Sequence, residues 1–88
     1  MLELQKAEYV DGYRVRIQFN DGKTGIVDLR DSLWGPIFEP LKDKNFFKRF
    51  TLSPILHTLC WENDADFAPE HLYKKMVEQT PSRDATNQ

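Results

Sequence analysis

His57, Cys60 and His71 are the side chains best suited to chemistry in this sequence. Thiolate and imidazole are preferred ligands of zinc, and a thiolate beside an imidazole is a nucleophilic pair. Spacing argues against the first combination. Leu56 to Trp61 reads as a strand, and residues three apart on a strand face opposite ways, so His57 and Cys60 cannot share an ion or a proton. A pairing of Cys60 with His71, on the element that follows, stays open. The plainer expectation is a half-buried strand cysteine and two surface or edge histidines, with no metal site and no cofactor.

Glu62, Asp64, Asp66 and Glu70 crowd the same region. Such carboxylates can bind a divalent cation or act as a general acid–base pair. The turn offers fewer oxygen ligands at regular spacing than a calcium loop does. One aspartate is therefore expected to satisfy free backbone donors at a helix start and the other to stabilise the turn. Asp64, Asp66, Asp21, Gly22 and Pro69 are accordingly assigned to turns and caps. Glycines 12, 22, 25 and 35 never form a phosphate-cradling loop, and Ser32 and Ser53 fall in turns without a Ser–His–Asp order. No catalytic residue emerges, and the chain reads as a non-enzyme.

Arg14 and Arg16 are candidates for gripping phosphate, with Tyr9 or Tyr13 available to stack a base. Glu3, Glu8 and Asp28 are near them, and the formal net charge is −2, so a solvated or partner-covered face is the expected use. Trp34 lies in a Gly-Pro loop. It either packs inside or protrudes as an anchor for a partner, since tryptophan is enriched at interface hot spots. Trp61 is expected at the edge of the core with its N–H on a nearby carbonyl, and the expectation adopted is that both indoles pack inside.

The elements that must position these residues follow from pattern. Tyr13 to Phe19 alternates, with Tyr13, Val15, Ile17 and Phe19 on one face. Asp11-Gly12 and Asp21-Gly22 are turn signals on either side of it, so Lys6 to Val10 and Thr24 to Leu29 are the first and third strands of an antiparallel meander. A two-residue turn at Asp21-Gly22 would put Asp28 beside Val15 on the apolar face. A three-residue loop, Asn20-Asp21-Gly22 with Gly22 left-handed, instead sets Val27 by Val15 and avoids burying a carboxylate. Two prolines between Leu33 and Leu41 forbid a long helix, but the apolar content requires that stretch to pack down. Asp43 caps a short helix carrying Phe46, Phe47 and Phe50. Strands around Phe50 to Leu52 and Leu56 to Trp61 are separated by a Ser53-Pro54 turn. Pro69 opens the last helix, whose stripe is Leu72, Tyr73, Met76 and Val77. The fold class is α+β, in the order β-β-β-α-β-β-α, as one domain over 1–79 with a disordered tail over 80–88.

Eighty-eight residues, 40% hydrophobic and 30% charged, suit one small globular domain. The acidic balance gives no global attraction to nucleic acid or anionic lipid. A single cysteine permits no internal disulfide. There is no signal-peptide pattern and no stretch of roughly 20 apolar residues, so a cytoplasmic location is expected.

Phe19-Asn20-Asp21-Gly22, Val27-Asp28-Leu29, Phe38, Leu41 and above all Trp61-Glu62-Asn63-Asp64-Ala65-Asp66 with Pro69 and Leu72-Tyr73 resemble the small bacterial family named domain of unknown function 2442. The resemblance covers about residues 5–77. The family pattern usually has glycine where Asp64 stands, and aspartate tolerates the left-handed conformation at modest cost. The resemblance implies a small α+β domain with an antiparallel sheet and two helices, and it carries over no catalytic residue. Some members carry a helix-turn-helix after this domain, which this sequence lacks. Others are encoded beside a second small protein in a toxin–antitoxin-like arrangement, or bear a molybdopterin-guanine dinucleotide biosynthesis label for which this sequence has no nucleotide loop.

The expected function is a non-catalytic module that binds a small protein partner, as an antitoxin would, through Arg14, Arg16, Trp34 and the outer sheet edge. A homodimer through that edge is the close competitor. The alternatives are a metal- or nucleotide-related protein, or a weak nucleic-acid binder.

Overall fold

The Asp21-Gly22 turn sets the register of the sheet. In the computed structural model, which describes residues 1–79, strands β1 (Leu4–Asp11), β2 (Arg14–Phe19) and β3 (Thr24–Asp28) form an antiparallel meander in that order. The Phe19 N–H donates to the Lys23 carbonyl at 2.9 Å, and the Gly22 N–H donates to the Phe19 carbonyl at 3.0 Å. Gly22 stands at φ +88°. The loop is therefore the three-residue form, and Val15 faces Val27. Val15, Ile17, Phe19, Val27 and Leu29 are all fully buried. β1 is longer than Lys6 to Val10, because register shifts at Leu4/Lys6 and Tyr9/Asp11 let it bend and stay paired.

Beyond β3 the chain makes two 3₁₀ turns, Arg30–Ser32 and Pro36–Lys42. Leu33 and Leu41 pack inward. Trp34 does not: it is 75% exposed, against the expectation that both indoles are inside. Leu33 takes the inward position, and the reversal at Gly35 (φ +93°) leaves the neighbouring indole in solvent. Helix α1 (Lys44–Phe47) follows, its first turn closed by the Asp43 carboxylate accepting from the Asn45 N–H at 2.9 Å.

β4 (Thr51–Leu52) and β5 (Leu59–Cys60) form a second antiparallel pair. The expected strand from Leu56 to Trp61 is shortened to its middle. Ser53 Oγ accepts the N–H groups of Ile55 and Leu56, at 3.2 and 2.9 Å, and the Ser53 carbonyl accepts that of His57. His57 ends this turn at φ +55°, so it is not on the strand that carries Cys60. After β5 a second three-residue hairpin loop repeats the geometry of the first. The Trp61 N–H donates to the Ala65 carbonyl at 2.9 Å, and the Asp64 N–H to the Trp61 carbonyl at 3.0 Å. Asp64, at φ +69°, holds the position that Gly22 holds in the first loop. Asp66 is bridged to Cys60 as a strand residue and does not cap the helix.

Helix α2 (Pro69–Gln79) lies along β3. Tyr73 donates its hydroxyl to Asp21 at 2.7 Å, and the Gln79 amide pairs with both main-chain groups of Asp28 at 2.6 and 3.0 Å. Leu72 and Met76 are buried, whereas Val77, expected in the same stripe, is 52% exposed because the helix meets the sheet on a narrower face. The expected tail, 80–88, lies outside the described residues. Among the described residues no helix is long and apolar enough to cross a membrane.

The two left-handed loop positions are open to test, since a Cβ at Gly22 would meet no neighbour and only its φ opposes substitution. Gly22→Ala should cost about 1 kcal/mol and Asp64→Gly should gain several tenths. Urea denaturation of both variants checks the pair of opposite signs.

Candidate functional site

The outer face of the meander carries Arg14 and Arg16, each already matched to a carboxylate. Arg14 makes two hydrogen bonds to Asp11, at 2.7 and 2.6 Å, and stands across from Asp28. Arg16 bonds Glu8 at 3.0 Å from the facing strand. Arg14 holds the Asp11 carboxyl below its usual range by that hydrogen bond, and Asp11 raises the guanidinium in turn. Lys6 shares the face opposite Gln18. A hollow of about 520 Å³ is lined by Lys6, Glu8, Arg16 and Gln18, so it carries both signs of charge, and Arg14 lies outside it. A phosphate would have to displace a carboxylate from each arginine. The edges of the sheet are also partly engaged: the Leu4 N–H donates to the His57 carbonyl beside β1, and Gln79 closes Asp28 on β3.

The opposite situation holds around Trp34. A groove of about 380 Å³ has Trp34 and Ile37 on one wall, with Phe38, Phe67 and His71 at its base. Ile37 is 46% exposed. Phe38 stacks on Phe67 at 4.8 Å between centroids, and Phe67 stacks on His71 at 5.6 Å. Local sequence explains the rigidity of each wall. Pro36 fixes the start of the 3₁₀ turn that carries Ile37 and Phe38. Asn63 donates its amide to the Ile37 carbonyl at 2.9 Å, joining that turn to the second hairpin. Thr58, buried, donates to the Phe67 carbonyl at 2.5 Å. The groove is apolar and largely built before any partner arrives.

Ser32 and His71 meet at the groove's inner end, Oγ to Nε2 at 3.2 Å. Burial, then Lys75 and Lys74, push the imidazole below its ordinary value, while Glu78 opposes them. A serine against a neutral imidazole is half of a nucleophilic device; the other half is a carboxylate on the second ring nitrogen. Asp66 lines the same groove, but among the described residues no hydrogen bond joins it to His71. The Ser32 hydroxyl is buried, and the bond ties α2 to the first 3₁₀ turn.

The other sequence-flagged groups do not converge. Cys60 faces the Thr51 hydroxyl at 3.3 Å, and His57 is 4.0 Å from Glu3. Among the described residues no set of three histidine, cysteine or carboxylate groups is placed to hold a metal ion. Asp21 accepts from the Lys23 N–H and the Tyr73 hydroxyl, which together lower its carboxyl. Trp61 donates its indole N–H to the Phe47 carbonyl at 2.7 Å and is buried. Sequence reasoning missed Ser32, Ile37, Phe38 and Phe67 as groove residues. The Trp34-Gly35-Pro36-Ile37 run was the available signal; the meeting of Ser32 with His71 had none.

The family model described as protein of unknown function DUF2442 matches residues 4–78. No curated protein matches the sequence. A solved structure from Nitrosomonas europaea, described as a putative DNA-binding protein, superposes with a TM-score of 0.77 at 25% identity over 90% of this chain. The match spans 51% of that protein, so this chain corresponds to about half of its length.

The His71 environment has a consequence for stability. Because the folded chain holds the imidazole below its ordinary pKa of about 6.5, its contribution is complete above that value and is lost as pH falls through the folded one. Urea midpoints should therefore fall between pH 7.5 and pH 5. The fall should be shallower in His71→Gln, and an identical fall in that variant would contradict this assignment.

Proposed function

This chain belongs to the DUF2442 family of proteins of unknown function, and from that premise we propose that it is a non-catalytic protein-interaction module whose contact surface is the Trp34 groove. The observation that supports this most is the exposed indole beside Ile37, above a floor of stacked rings. A large aromatic left in water costs solvation free energy that a partner can recover, and such residues dominate binding energies in measured interfaces. The loop is held by Pro36 and Asn63, so little ordering entropy opposes docking. The partner is a second cytoplasmic protein, in the finer form of this proposal one neutralised as an antitoxin neutralises its toxin.

Nucleic-acid binding by the meander is the weaker proposal. The Nitrosomonas europaea protein is described as a putative DNA-binding protein, but about half of it has no counterpart in this match. Arg14 and Arg16 are both carboxylate-paired. Binding that depended on them would fall steeply with salt.

Trp34→Ala should leave stability within about 0.5 kcal/mol, as expected for an exposed position, while reducing capture of the product of a neighbouring gene at least tenfold. Arg14→Ala with Arg16→Ala should leave capture unchanged. Capture lost in the arginine variant and retained in Trp34→Ala would overturn the proposal.

A further inference from the structure

We infer that this chain self-associates through β1, which pairs antiparallel with β1 of a second copy about a two-fold axis at Ala7. The inference does not depend on the Trp34 groove and uses a different part of the surface. β1 and β3 are the two edges of the meander. α2 lies along β3, with Tyr73 on Asp21 at one end and Gln79 on Asp28 at the other. On the outer side of β1 no strand pairs among the described residues, and the main-chain bond there runs from the Leu4 N–H to the His57 carbonyl. The Leu29 N–H donates to the Tyr13 carbonyl and the Phe19 N–H to that of Lys23. Odd-numbered residues from Tyr13 to Phe19 thus turn their main chain toward β3. Arg16 and Gln18 turn theirs toward Glu8 and Lys6, which leaves the N–H and carbonyl groups of Ala7 and Tyr9 facing outward. An edge of this kind invites strand addition.

Charge complementarity selects a second copy as the occupant and fixes the register. Lys6 and Glu8 are exposed and stand on one face of β1, on either side of Ala7. With Ala7 opposite Ala7 of the second copy, Lys6 of each chain faces Glu8 of the other. Lys6 has no ion pair among the described residues, and Glu8 meets Arg16 through Oε1, leaving Oε2 for a second cation. A rotation about Glu8 instead opposes Glu8 to itself, and like charges directly across a strand pair destabilise it. A rotation about Tyr9 sets Glu8 against Val10. Apolar surface follows the same register. The Ser53–His57 turn abuts the start of β1, and there Ile55 is 84% and Leu56 51% exposed. Antiparallel pairing brings Val10 of the second copy, half-buried and outside the described core, alongside that turn. The two-fold axis makes the contact twice. Because His57 already holds Leu4, the pairable stretch is short, and the dimer dissociates on dilution.

Sedimentation equilibrium of the full chain, over a wide range of concentration, tests this. The mass should rise toward twice the monomer value. Lys6→Glu should weaken association at least tenfold, and so should Glu8→Lys. Combining the two restores opposed charges across the axis and should recover most of the loss. Ile55→Lys should weaken association as well, whereas Trp34→Ala should leave it unchanged. All these positions are exposed, so urea midpoints should stay near that of the unaltered chain. A monomer at every concentration, a dimer indifferent to both single reversals, or no recovery in the combined variant would overturn the pairing. Dimer loss in Trp34→Ala would move the interface to the groove and overturn it too. Capture of a partner through Trp34 is a separate measurement and stands or falls on its own.

Discussion

A connected series of aromatic contacts fixes everything else in this molecule. Tyr13 on the sheet meets Phe47 at 5.3 Å, Phe47 meets Trp61 at 5.7 Å, and Trp61 meets Phe67 at 5.7 Å. Phe67 then stacks on Phe38 and His71. The Trp61 indole also donates to the Phe47 carbonyl, so the hinge of the series is hydrogen-bonded as well as packed. The sheet, α1, the second hairpin and α2 are joined through these rings. In a chain this short, few large side chains must supply most of the buried area. Phe67 is buried, whereas Phe38 and His71 at the end of the series are less fully covered, and all three line the groove.

The same economy explains the charge distribution. On the outer face of the meander, cross-strand neighbours bring Glu8 to Arg16 and Asp11 to Arg14, so the face is solvated and internally balanced. Exposed pairs of this kind contribute little to stability, but they do blunt the affinity of the face for phosphate. Around Trp34 the exposed surface is mainly apolar, and the one carboxylate that lines the groove, Asp66, has no ion pair among the described residues. The function proposed for this member of a family of unknown function follows from that contrast between two faces of one small fold.

Much of the fold was legible in residues whose constraints are local. Asp21-Gly22 with Val15 and Val27 gave the three-residue loop and the register, because burying Asp28 was the only alternative. Pro69 and Asp43 gave the helix starts. The failures have local causes too. Leu56 and His57 looked like strand residues until the Ser53 hydroxyl claimed the amides of Ile55 and Leu56 and folded them into a turn. Val77 fits the helical period, but α2 meets β3 on a narrower face. Trp34 was misplaced because irregular backbone has no period from which to tell inside from outside. The groove was illegible for a deeper reason: Ser32, Ile37, Phe67 and His71 come from separate segments, and only the packed rings bring them together.

Acrylamide quenching of single-tryptophan variants tests the central claim most directly. With Trp61→Phe, the remaining Trp34 should be quenched nearly as freely as indole in water, at every protein concentration. With Trp34→Phe, the remaining Trp61 should be strongly shielded. A shielded Trp34 in the isolated chain, or shielding that grows with concentration, would mean that the chain covers its own groove, and a groove held open for a partner would be contradicted.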